Sequence, residues 1–124
     1  MNKSVLAILA CTLIASAAHA DRPRVVRPLD GYVCARLNAT EAQMLNPNGP
    51  GIYILAEPRP NAAPLVMAPG IVFARTPAHT VGGFTEVLTV NNAPGWIASD
   101  KIRPFDATAR CVPSLMSNGR IGAG

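Results

Sequence analysis

Proline does most to limit what this chain can fold into. Twelve prolines and ten glycines fall in its 124 residues, all of them beyond residue 20. Proline fixes φ and donates no backbone hydrogen bond, so it is excluded from helix interiors and central strands. Between these breaks lie short runs rich in β-branched and aromatic residues, the composition of strands rather than helices. The richest run is Val81 to Phe105. Phe84–Val90 reads as a strand and Asn91-Asn92-Ala93-Pro94 as a tight turn, because Asn tolerates left-handed backbone angles and Pro pre-sets φ. A second strand follows around Trp96, and a short turn closes the segment. This is a β-hairpin, and many short strands with frequent turns point to a small all-β domain.

The first twenty residues stand apart. Lys3 gives a positive start, Val5–Ile14 is an apolar run too short to span a bilayer, and Ala18-His19-Ala20 is a small-x-small cleavage pattern. We expect a signal peptide at 1–20, cut between Ala20 and Asp21, with no transmembrane segment afterwards. A rival cut at Ile8-Leu9-Ala10-Cys11, which would lipidate Cys11, leaves an apolar region of about five residues, short of the ~7–15 such leaders need. Beyond the leader two cysteines remain, Cys34 and Cys111. In an oxidising compartment, periplasmic or secreted, an even pair is expected to form a disulfide. Closing so long a loop removes roughly 4 kcal/mol of denatured-state entropy in the simple chain model.

Eleven basic residues against seven acidic ones give a formal net charge of +4, which loses one unit with Lys3. The arginines are scattered apart from Arg22, Arg24 and Arg27, so there is no dense basic stripe of the kind that binds nucleic acid. Asp21–Asp30 reads as an extended, exposed lead-in, and Gly31–Leu37 as a short strand. Asn38–Met44 is the one candidate helix, with Thr40 as N-cap and Pro47 as its stop. Asn46–Gly51 is a loop, Ile52–Ala56 a buried strand, and Glu57–Pro64 a proline loop. Leu65–Arg75 is a strand pair or one bent strand broken at Pro69-Gly70, and Thr76–Gly83 is a further loop. The last residues, Val112–Gly124, are Gly-rich and polar and are expected to be a flexible tail.

From Gly51 to Pro104 the order of these elements resembles the bacterial SH3-like (SH3b) domain. Ile52–Pro58 stands where that family has its first strand and loop, and Leu65–Phe73 where a turn precedes a β-branched strand. Gly83-Phe84-Thr85-Glu86-Val87 followed by Gly95-Trp96-Ile97-Ala98-Ser99-Asp100-Lys101-Ile102 is similar to its aromatic strand, Gly-Trp strand and short helical turn. The resemblance implies an SH3-like β-barrel at 51–105, an N-terminal extension at 21–50 and a C-terminal extension at 106–124, clipped together by Cys34 and Cys111. It also implies a binding module of exported bacterial proteins, touching peptidoglycan or its peptides.

Candidate chemistry is thin. Beyond the leader His79 is the sole histidine, and Ser99, Ser114 and Ser117 lie in no nucleophile-elbow context, so no catalytic constellation is assembled. One histidine and two bridged cysteines do not supply the three or four ligands of a zinc site, and no cofactor motif appears. Trp96, the only tryptophan, lines a ligand groove or fills the core, and Tyr53 shares the ambiguity. Arg59 and His79 fall in the two loops that flank the groove of SH3-like folds. Phe73, Val87 and Ile97 are assigned to the core. The expectation is a non-enzymatic binding module for cell-wall peptide or an envelope protein; the alternative is a secreted inhibitor or accessory subunit of an envelope enzyme.

Overall fold

The structure, a computed structural model, describes residues 22–46, 48–49, 51–106 and 108–124. The expected cleavage site at Ala20 and Asp21, and Cys11, lie outside the described residues. In chain order the strands are β1 (Val25–Pro28), β2 (Tyr32–Leu37), β3 (Tyr53–Leu55), β4 (Pro64–Met67), β5 (Ile71–Arg75), β6 (Thr80–Val81), β7 (Phe84–Leu88), β8 (Pro94–Ala98), β9 (Ile102–Pro104), β10 (Pro113–Met116) and β11 (Ile121–Ala123). A single helical turn, α1 (Glu41–Leu45), separates β2 from β3. Its Thr40 accepts from the Gln43 backbone while the Gln43 side chain accepts from the Thr40 backbone, a reciprocal capping box that fixes where the helix starts.

The fold is all-β and antiparallel, in two sheets. The larger runs β4-β3-β8-β7-β5-β2-β9, with β6 attached to β7, and the smaller runs β1-β10-β11. Among the described residues no ladder joins the β4 and β9 edges of the larger sheet. The expected hairpin is its centre, although β7 ends at Leu88: Thr89 and Val90 belong to the turn, where Thr89 Oγ1 accepts from the Ala93 amide. Leu65–Arg75 is two strands that do not pair with each other, since β4 pairs with β3, and β5 lies between β2 and β7. The larger sheet also takes β2 from ahead of Gly51, inside the segment expected to be an extension.

Two further expectations are corrected. Thr76–Gly83 is not all loop: Gly82 and Gly83, both at positive φ, turn β6 directly onto β7, as a two-residue hairpin requires. The tail is not a free end. Val112–Gly124 folds into the β10–β11 hairpin, turning through Asn118-Gly119 with Gly119 at φ 82°. β1 then pairs along β10, so both ends of the described chain meet in one sheet.

Strand alternation divides the buried apolar residues into two clusters. One face of the larger sheet closes on Ala35, Leu37, Ile54, Val72, Ala74, Val87 and Ile97. Gly95 belongs here because a Cβ would come 2.4 Å from Ile54 Cγ2, so only glycine lets β8 pass this close to β3. The opposite face carries Cys34, Phe73 and Leu88, on which Ile121 of the smaller sheet packs together with Leu115 and Leu29. The disulfide Cys34–Cys111, with Cα atoms 6.1 Å apart, ties the smaller sheet to this face. Phe73 is therefore core as expected, but of the second cluster. A backbone hydrogen bond from Ile121 N to Val90 O fastens the same contact at the turn.

Candidate functional site

The smaller sheet covers only part of that outer face. Cross-strand neighbours Cys34, Phe73, Leu88 and Pro94 form one row across β2, β5, β7 and β8. Two residues along each strand, on the same face, the next row reads Tyr32, Arg75, Glu86 and Trp96, ending at Leu55 on β3. Here the side chains are charged and aromatic, and the face opens to solvent at Arg75, whose side chain is 50% exposed.

Glu86 is the centre of this row. Its side chain is only 12% exposed, an expensive position for a carboxylate unless it is paired. Arg75 Nη1 donates to both of its oxygens, at 3.0 and 3.1 Å. His79 Nδ1 lies 2.7 Å from Oε1. Arg75 and His79, four residues apart in the chain, thus both reach this one carboxylate. The anchor is a backbone bond from Glu86 N to His79 O, which continues the β6–β7 pairing by one step. The His79 hydrogen bond, with the bond and charge from Arg75, holds the Glu86 carboxyl below its ordinary value, against the opposing pull of burial. An ionised Glu86 accepts only, so His79 Nδ1 is the donor in this bond.

Trp96 stands opposite Glu86 in the β7–β8 ladder. It is half-buried, and alternation sends it to the outer face while its neighbour Ile97 is fully buried in the first cluster. Its ring meets the His79 ring edge-on, with centroids 5.2 Å apart and planes at 64°, the arrangement aromatic quadrupoles prefer. His79 thus has one side fixed by Glu86 and one by Trp96.

The structure brings two of the four expected ligand residues, His79 and Trp96, into contact. Tyr53, 42% exposed, lies on the same face one strand over. It lines a shallow groove of about 230 Å³ with Leu55, Phe84, Ala98 and Lys101. Arg59 is not joined to them: in the loop after β3 it pairs with Glu57 at 2.9 Å, both side chains more than half exposed. That loop does reach the β6–β7 turn, where Pro58 O lies 3.8 Å from where a Gly82 Cβ would stand.

Glu86 and Arg75 are the site residues that reading the sequence missed. The signal was there in the turns. A two-residue turn at Gly82-Gly83 pairs Val81 with Phe84, hence Thr80 with Thr85, and brings His79 against Glu86. Among the described residues no three of His, Cys, Asp and Glu converge as metal ligands would, and no helix is long and apolar enough to cross a membrane. Comparison with known proteins finds no matching family model, no matching curated protein and no matching solved structure.

Proposed function

We propose that this chain is an exported SH3-like binding module that recognises cell-wall peptide through the open part of the outer sheet face, without catalysing a reaction. The observation that carries this reading is the fixed Trp96–His79 pair held over Glu86 and Arg75. A half-buried tryptophan whose neighbour is already immobilised loses little freedom on binding, which is the property of recognition hot spots. His79 with its carboxylate partner also resembles two members of a catalytic triad. Acyl transfer would further need a nucleophile within reach. The hydroxyl next to Glu86 in the chain, that of Thr85, is engaged with Ser99 at 2.7 Å, and Thr85 is paired with the inward-facing Ile97.

Co-sedimentation with purified peptidoglycan at low and moderate salt tests the proposal. Binding that survives moderate salt and falls with Trp96→Ala supports it. Binding that disappears with salt and ignores Trp96 is charge attraction alone and rejects it. No binding at either salt rejects the wall ligand and favours an envelope protein as partner.

A further inference from the structure

The groove beside Trp96 has a composition of its own. Tyr53 and Leu55 on β3 and Phe84 on β7 flank the β8 residue Ala98, all on the outer face. Tyr53 is held in place from behind: a Cβ on Gly51 would come 2.8 Å from Tyr53 Cε2, so the ring lies directly against that backbone. The lining contains one charged residue, Lys101, and no acid. Among the described residues Lys101 forms no salt bridge.

We infer that this groove takes the C-terminal residue of a peptide, a small or aliphatic side chain against Ala98 and Phe84 with its free carboxylate on Lys101. The inference rests on the peptide-binding reading above and names which part of the peptide is read. Apolar walls on both sides favour a ligand that brings its own apolar group, because burying one removes water from ligand and groove together. A compact inorganic anion would lose its hydration against those walls and gain only one ammonium. A chain end carries the apolar group and the charge on the same carbon, and an ammonium favours a carboxylate over a neutral amide.

The test is an NMR titration of the protein with acetyl-Ala-Ala as the free acid, acetyl-Ala-Ala amide, and acetyl-Ala-Asp amide, following the Phe84, Ala98 and Lys101 amide signals. The free acid is expected to bind at least about fivefold tighter than either amide. Lys101→Gln should bring it down to the level of the amides, and Lys101→Arg should keep the preference. Equal binding of acid and amide, a preference that survives Lys101→Gln, or no shift at millimolar acid overturns the inference. Equal binding of the Asp peptide overturns its chain-end part. Trp96-dependent sedimentation with peptidoglycan would survive any of these failures, so the two proposals fail separately.

Discussion

Two neighbouring rows of one sheet face have opposite fates. The row Cys34–Phe73–Leu88 is apolar, roofed by the smaller sheet and bolted by the disulfide. The row Arg75–Glu86–Trp96, two residues further along the same strands, is polar and uncovered. Backbone geometry is shared, so the side chains alone decide. Phe73 and Leu88 are stabilised only by a cover, which Ile121 and Leu115 provide. Glu86 satisfies its charge within the sheet and needs none. A face that is complete without a roof is available for a ligand.

Breaking the covered row should have the largest effect. Replacing both Cys34 and Cys111 by Ser should cost about 4 kcal/mol, since the bridge spans 77 residues. Phe73→Ala should cost about 3–5 kcal/mol through lost burial and a cavity. Both are read by chemical denaturation. Next, Glu86→Gln should cost about 1–3 kcal/mol by weakening the charge-assisted bonds from Arg75 and His79, and should also flatten the acid limb of stability. The sign follows from linkage: the folded carboxyl holds its proton less tightly than the unfolded one. Its contribution is therefore complete above the unfolded pKa of about 4.3 and is lost as pH falls through the lower folded value. Denaturation midpoints of parent and variant measured from pH 7 down to pH 3 should converge at the acid end. Smallest in stability is Trp96→Ala, about 1–2 kcal/mol for a half-buried ring, with its main effect on binding.

Much of this arrangement is legible in the chain. The β7–β8 hairpin, the Thr40 cap, the short strand over Tyr32–Leu37 and the Cys34–Cys111 bridge follow from local chemistry, because turn formers, caps and an isolated cysteine pair act over short range or by elimination. The long-range placements do not. Nothing in the run Tyr32–Leu37 says that it inserts between β5 and β9. The glycines of the tail suggest mobility, whereas Gly119 makes a turn and Gly122 lets Met116 lie across it. At the site, Trp96 and His79 stood out as rare residue types. In the sequence Glu86 is like any other acid; two turns, Gly82-Gly83 and Thr89–Ala93, place His79 on one side of it and Trp96 on the other.

On the reading proposed above, the covered row serves stability and the open row serves recognition. That division is tested most directly by measuring Trp96→Ala twice, by peptidoglycan sedimentation at moderate salt and by chemical denaturation. Wall binding should be lost while stability falls by no more than about 2 kcal/mol. Stability reduced as far as by Phe73→Ala, with wall binding of the remaining folded protein unchanged, would contradict it.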